Sequence, residues 1–410
     1  PEKYNNGYLK EGSGRSTAFA LRGLISYNNN KLENHAFSLV VGTELSGSKS
    51  YNNYHRSPEF NDYYRFIAFP DFPSDDISYN DIKNSLSGLI GTAEAQDRSA
   101  SFFGALTYTL CDKYVFNLNA RFDGADIIGT DNRFTPLWSA SFRWNAMREN
   151  FLKDVNFISD LAIRLSYGYT GNIDRSSYPI PMIFLSGYRY DENFVAESVT
   201  FPNPNIKWER KQDRNFGLDF GFWDNRIGGS FNYYWNTGKD LLGTMTTPES
   251  YGRTSIKANV SSIENTGWEF NVNLRLDLGA NVRWINSFNI AQNTNKIKKT
   301  YLKDLNELNV MGGSDNIEGY ASGSMFGYRF AGVNPLTGQA MIYLTDESRK
   351  ILADYRGVDI SQVADKIDTE EIDYNIREEL LRASMEKLGS VTPKVTGGFS
   401  STLTWKKLEV

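Results

Sequence analysis

WERKQDRNFGLDFGFWDNRIGGSFNYYW, spanning Trp208 to Trp235, reads as two long strands joined by a tight turn. In the first arm Trp208, Phe216, Leu218 and Phe220 alternate with Glu209, Lys211, Asp213, Asn215 and Asp219. In the second, Ile227, Phe231, Tyr233 and Trp235 alternate with Ser230, Asn232 and Asn236. A period of two gives each strand one apolar and one polar face. Between the arms, Trp223-Asp-Asn-Arg226 supplies Asp and Asn, which tolerate the positive φ of hairpin turns. Each arm is about ten residues or more, the length a tilted membrane-spanning strand requires, and aromatics stand at the strand ends where a bilayer interface would lie. The hairpin suits lipid on one side and water on the other.

The same alternation recurs along the chain. It predicts strands at about 15–27, 36–46, 98–110 and 113–122, then one carrying Trp138, Ala140, Phe142 and Trp144, and one carrying Leu161, Ile163, Leu165, Tyr167 and Tyr169. Beyond the hairpin come a strand with Trp268, Phe270, Val272, Leu274 and Leu276, its return with Val282, Trp284, Phe288 and Ile290, and a last strand at about 395–406. That makes about eleven. Residues 146–157 suit one helical turn, and 370–388 suits a helix. The connections alternate in length: 28–35, 111–112, 146–159, 222–225 and 278–281 are short, whereas 47–97, 123–134, 170–206, 237–262 and 292–392 are long. Turns at one end and long loops at the other are the pattern of a bacterial outer-membrane barrel. A soluble sandwich has no reason to sort loop length this way.

Composition agrees. Of 410 residues, 14% are aromatic, with 24 Tyr, 26 Phe and 34 Gly. The mean hydropathy is -0.48. No apolar run reaches the ~20 residues of a transmembrane helix, while a barrel escapes that criterion because its polar lumen face dilutes every strand. The single Cys111 excludes an internal disulfide framework. A net charge of -5 argues against nucleic acid, whose backbone calls for a basic footprint. Pro1 follows no initiator Met or leader and Val410 falls inside an element, so the chain reads as a piece of a longer one.

Chemistry-bearing groups are sparse, and no enzyme or resident cofactor is expected. His35 and His55, the only histidines, lack a nucleophile or metal partner at usable spacing and read as solvated. Gly12-Ser-Gly14 and Gly228-Gly229 are not phosphate loops. Asp75-Asp76 and Glu370-Glu371 could form a loop calcium site or an acid/base dyad, but they lack the regular spacing of a calcium loop and read as loop solvation. Tyr63, Tyr64, Tyr178, Tyr188 and Tyr190 lie in long connections, where aromatic faces stack on sugar rings and hydroxyl tips bond polar groups. They are candidates for a substrate surface; the alternative is that they pack loops against one another or a partner. Trp144, Trp235, Trp268 and Trp284 read as interface-girdle residues.

A series of short stretches, in order, carries a resemblance. They are Asn119-Ala-Arg-Phe-Asp-Gly124, Phe151-Leu-Lys-Asp154 through Leu165-Ser-Tyr-Gly168 to Asn172, and Asn205-Ile-Lys-Trp-Glu209 with Gly217-Leu-Asp-Phe-Gly-Phe222. Asn225-Arg-Ile227, Tyr233-Tyr234, Thr237 to Leu242 and Asn265-Thr-Gly-Trp-Glu269 follow, then Gly319 to Ser324, Gly332-Val-Asn-Pro-Leu-Thr-Gly338 and Pro393 to Phe399. Taken together they resemble the SusC/RagA-like TonB-dependent outer-membrane transporters; the Asp126 to Gly129 insertion and the two ends depart from the pattern. The resemblance implies an all-β antiparallel transmembrane barrel, this chain being about half of a 22-stranded one with long extracellular loops. Residues 1–410 would then be a partial receptor barrel domain, lacking the N-terminal plug and terminal strands. It further implies import across the outer membrane of a Gram-negative bacterium, driven by the TonB complex acting through the missing N-terminal part. A SusD-like lipoprotein lid and an oligosaccharide or, less often, an oligopeptide cargo go with it. The other readings are a passive porin or structural barrel, and a soluble secreted glycan-binding β-protein.

Overall fold

The computed structural model describes residues 9–57, 60–61, 66–67, 90–126, 128, 133–173, 182–190, 193–200, 203, 205–248, 250, 255–279, 281–300, 311–312, 316–406 and 408–409. Its framework is one antiparallel sheet of twelve strands, eleven of them long. In chain order they are β1 (Leu9–Leu32), β2 (His35–Ser57), β3 (Ile90–Leu110), β4 (Tyr114–Ala125), β5 (Phe134–Asn145) and β6 (Ile158–Asn172). There follow β7 (Glu209–Phe222), β8 (Ile227–Thr246), β9 (Ser255–Gly279) and β10 (Val282–Lys299). Each pairs with its sequence neighbour, and the eleventh, Val395–Trp405, closes on β10 after a long excursion of the chain. The last sheet member, Leu408–Glu409, is two residues long.

The opening hairpin folds as its sequence dictates. Leu218 faces Phe231, Phe216 faces Tyr233, and Phe222 faces Ile227, so both apolar sets share one side of the sheet. Three consecutive residues at the turn, Trp223, Asp224 and Asn225, take positive φ of 50°, 55° and 58°. Cys111 and Asp112 do the same at the β3–β4 turn, with φ of 52° and 56°, as do Asn34 and Asn281 elsewhere at the same end of the sheet. Asn and Asp accept this region at low cost.

The strands are longer than the sequence predicts. β1, β2 and β3 run 24, 23 and 21 residues, and β8 and β9 run 20 and 25, where about ten suffice to span a bilayer. The predicted loop 237–262 is therefore mostly strand: β8 continues to Thr246 and β9 begins at Ser255. Likewise, 47–57 and 90–97 of the predicted loop 47–97 belong to β2 and β3. The segregation of connection lengths survives these corrections, since the strands lengthen mainly at the long-loop end and the run of β1 on to Leu32 only shortens a turn that is already short.

Between β10 and the last long strand stands a small α+β unit that the sequence reading treats as one irregular stretch with a helix at 370–388. Its strands are β11 (Ser324–Gly327), β12 (Phe330–Val333), β13 (Ala340–Tyr343), β14 (Lys366–Asp368) and β15 (Glu386–Ser390), and Val395–Trp405 is thus β16. Two helices complete it, α1 (Asp346–Arg356) and α2 (Tyr374–Ala383), so the predicted helix is shorter than expected and a second one precedes it. α1 begins at Thr345, whose side chain accepts from the Ser348 amide, and ends at Gly357 with φ 64°. Ile342, Leu344, Leu352, Ala353, Val363, Ile367, Ile372, Ile376 and Leu380 form its core. The turn at 146–157 is a single 3₁₀ turn, Ala146–Arg148, followed by further turns.

Candidate functional site

Two faces of one wall define the site. On the apolar face, antiparallel register places Phe37, Tyr108, Phe116, Phe142, Leu165, Phe216, Tyr233 and Trp268 in one row across eight strands. Phe116, Leu165, Phe216 and Tyr233 are exposed, as are Phe19, Leu21 and Ile25 on β1 and Phe399 and Leu403 on β16. A contiguous apolar surface this wide has no place in water. Trp223 and Trp405 mark its short-turn rim, with Trp138 and Trp235 toward the other. Of the expected girdle residues, Trp235 and Trp284 are exposed on this face, and Trp284 Nε1 donates to Ser401 Oγ at 2.8 Å.

The opposite face is a hydrogen-bonded polar surface. Thr107 Oγ1 donates to Asn117 Oδ1 at 2.8 Å, Asn117 Nδ2 to Ser141 Oγ at 3.1 Å, and Asn119 Nδ2 to Ser139 Oγ at 3.3 Å. Arg121 Nη2 donates to Ser101 Oγ at 2.9 Å. The Asp219 carboxylate receives Arg164 Nη2 at 2.7 Å and Arg143 Nη1 at 3.1 Å, and Arg164 also reaches Asn232. Further along, Asn295 Nδ2 donates to Asn265 Oδ1 at 2.8 Å. These side chains cross-link adjacent strands while staying partly open to solvent, which suits a wall bordering water.

The short-turn end is locked by Glu149. Its carboxylate accepts from Lys113 Nζ at 2.8 Å, Tyr114 Oη at 2.6 Å and Trp144 Nε1 at 3.3 Å, tying the 3₁₀ turn to β4 and β5. The Lys113 hydrogen bond, followed by that of Tyr114, holds the Glu149 carboxyl down at about 2. A depressed folded-state value stabilises above the ordinary value of 4.5, and that contribution is lost as pH falls through it toward 2. The expected result is that thermal midpoints of the full-length protein and of E149Q differ above pH 4.5 and converge near pH 2. A gap that stays constant through this window would show that the charge does not hold the turn.

The α+β unit rides on the long-loop end. Ile297 N donates to Tyr320 O at 2.7 Å, Gly319 N to Ile297 O at 2.9 Å, and Ser322 N to Asn295 Oδ1 at 2.7 Å, so it is stitched to the extension of β10. Within it the buried Asp368 carboxylate accepts from Thr337 Oγ1 at 2.6 Å, Asn334 Nδ2 at 2.8 Å and Glu370 N at 2.9 Å. Hydrogen bonds from Thr337 and the Glu370 amide hold its carboxyl below the usual carboxylate range.

Several predicted residues find places here. Glu370 and Glu371 occupy the turn between β14 and α2, and among the described residues no three His, Cys, Asp or Glu gather as a metal site. His35 Nδ1 lies 2.7 Å from Tyr108 Oη. His55 is in the outer extension of β2, a strand rather than the loop expected. Tyr63, Tyr64, Tyr178, Asp75 and Asp76 lie outside the described residues. Tyr188 and Tyr190 fall in the strand Met182–Tyr190, which pairs with Asn193–Thr200; their side chains also lie outside the described residues. The sequence reading missed the Asp368 node, although Asn334-Pro-Leu-Thr-Gly338 carries the Asn and Thr that a turn folding back on a carboxylate needs.

The family described as TonB dependent receptor-like, beta-barrel, matches residues 2–363. The chain belongs to that family. It is 30% identical over 363 residues to TonB-dependent receptor P3 of Formosa agariphila, covering 84% of this chain and 34% of that protein. It is 35% identical over 207 residues to TonB-dependent receptor SusC of Bacteroides thetaiotaomicron, covering 48% and 21%. The solved RagAB peptide transporter superposes with a TM-score of 0.77 over 98% of this chain and 41% of that one; at 23% identity this likeness concerns the fold. The chain thus spans about a third of the length of one of these curated relatives and about a fifth of the other. As a SusC-like receptor barrel it lies in the outer membrane of a Gram-negative cell, with its exposed Phe, Leu and Trp rows toward lipid and its Asn, Ser and Arg ladder toward the lumen.

Proposed function

We propose that this chain is wall and outer rim of a TonB-energised importer for an oligosaccharide, working with a SusD-like lipoprotein lid. The observation carrying this reading is the two-faced sheet itself: an uncovered apolar face backed by a lumen ladder of Asn, Ser, Thr and Arg groups. Asn and Ser present both donors and acceptors, and solutes rich in hydroxyls exchange hydrogen bonds with such a surface without needing charge. Likeness to SusC supports a glycan; the likeness in fold to a peptide transporter keeps an oligopeptide as the second cargo. The outermost edges of β1 and β16 need partners, since free strand edges are untenable in hydrocarbon. We read the eleven long strands as about half of a 22-stranded barrel, with the plug and the TonB contact elsewhere in the protein.

Deletion of the full-length gene tests cargo and energy together. Growth on a panel of oligosaccharides and oligopeptides is expected to fail on specific oligosaccharides, and uptake by the wild type is expected to stop when TonB is removed. Uptake that survives loss of TonB would favour a passive porin; a deficit confined to peptides would move the cargo assignment.

A further inference from the structure

The apolar face is not uniformly bulky. On the row above Phe116, Phe142 and Leu165, register places Ala140 between Leu118 and Tyr167. A methyl among large side chains leaves a depression, and here a groove of about 500 Å³ opens, floored by Ala140 and walled by Phe116, Phe142, Leu165 and Phe216. Its lining is almost wholly apolar except for one cation. Arg214 borders the groove two residues beyond Phe216 toward the long-loop end, and its guanidinium stacks over the Trp235 ring at 4.5 Å. Among the described residues it meets no carboxylate. Two positions further out on the same face, beyond the Gln212–Thr237 pair, stand Arg210 and Lys239, paired across β7 and β8; Asp240 bonds Arg210, and Lys239 is exposed. Arg15 and Arg98 repeat the sign above the apolar belt on β1 and β3.

A charged side chain on a lipid-facing surface is costly at mid-bilayer and tolerable near the interface. An apolar groove running up to an Arg at that level matches an amphiphile with acyl chain below and anionic head above. The long-loop end faces the cell exterior by the family assignment, so the adjacent lipid belongs to the outer leaflet. We propose that this groove is a binding site for a phosphorylated glycolipid of the outer leaflet, its acyl chain lying over Ala140 and its phosphate held by Arg214. The proposal rests on the outer-membrane assignment but not on the cargo, because Arg214 and Ala140 project away from the lumen.

The test uses the full-length protein in mild detergent, with bis-phosphorylated lipid A and its dephosphorylated form as probes and native mass spectrometry as readout. R214E is expected to lower retention of bis-phosphorylated lipid A roughly tenfold, and dephosphorylation of the probe to do the same to the wild type. A140F, which fills the depression without touching charge, should lower retention of both probes. Heat-modifiable migration on gels confirms that each variant remains a barrel. Equal retention by wild type, R214E and A140F overturns the proposal. Displacement of the glycolipid by inorganic phosphate at equal concentration overturns the lipid assignment in favour of a phosphate site. Uptake is measured in the same strains, so a failed cargo assignment and a failed lipid site read differently.

Discussion

Leu118→Arg in the full-length protein is expected to destabilise the barrel by about 2–4 kcal/mol. Leu118 lies midway along β4 between Tyr114 and Phe122, is 52% exposed, and points from the apolar face. In water, an Arg at such an exposed position would be near neutral, since surface substitutions away from special features stay within about 0.5 kcal/mol. In hydrocarbon the guanidinium loses its hydration and cannot snorkel to either interface from mid-height. The adjacent position supplies the control. Asn119→Arg exchanges one hydrogen bond to Ser139 for a solvated cation on the lumen side and is expected to cost about 0.5 kcal/mol or less. Urea unfolding of protein reconstituted in vesicles reads both. Comparable losses at 118 and 119 would mean that the apolar rows do not meet lipid, and the import account would go with them.

How far the fold can be read from sequence depends on where the bilayer ends. Within it the two faces meet different solvents, so Phe116, Leu118, Ala120 and Phe122 alternate cleanly with Asn117, Asn119 and Arg121, and β4 is legible to within three residues at either end. Beyond it both faces are wet. The outer part of β2, Gly47-Ser-Lys-Ser-Tyr-Asn-Asn-Tyr-His-Arg-Ser57, has polar residues on both sides, yet it pairs in continuous register with β1 and β3. Backbone ladder bonds hold that ribbon, and they leave no mark in side-chain pattern. At the outer ends of β8 and β9 the register shifts between Gly238 and Leu242, with Asp240 at φ 56°, and this bulge breaks the alternation, hence the mistaken loop at 237–262. α1 was signalled by Thr345, Asp346 and Glu347 at its start and by Arg356 and Gly357 at its end, but Asp-Glu-Ser-Arg-Lys is too polar for an apolar stripe to declare itself. The candidate Tyr residues rest on side-chain chemistry alone, because in the long connections no periodicity fixes what a side chain faces.

The α+β unit makes a separate test possible, because its stability and the barrel's have different origins. Leu380→Ala is expected to cost the unit about 2–5 kcal/mol, the range for truncating a fully buried Leu. Leu380 is 0% exposed on α2 and belongs to the cluster with Ile342, Leu352, Ala353, Ile367 and Ile376 that joins both helices to the small sheet. A core of nine buried residues cannot spread such a cavity over many contacts. The barrel strands, in contrast, are held by ladder bonds along their whole length and by the surrounding lipid, and the unit reaches them through a few bonds at Ile297 and Asn295. Local opening is therefore expected to stop at β10. Hydrogen exchange should accelerate at the amides of α1, α2 and β13 and stay unchanged along β4 and β5, with heat-modifiable migration intact. Acceleration across β4 and β5 would show that unit and barrel unfold as one. If exchange stays local and uptake still falls, the unit contributes to capture at the outer mouth through its own fold, since the lumen ladder is untouched by the substitution.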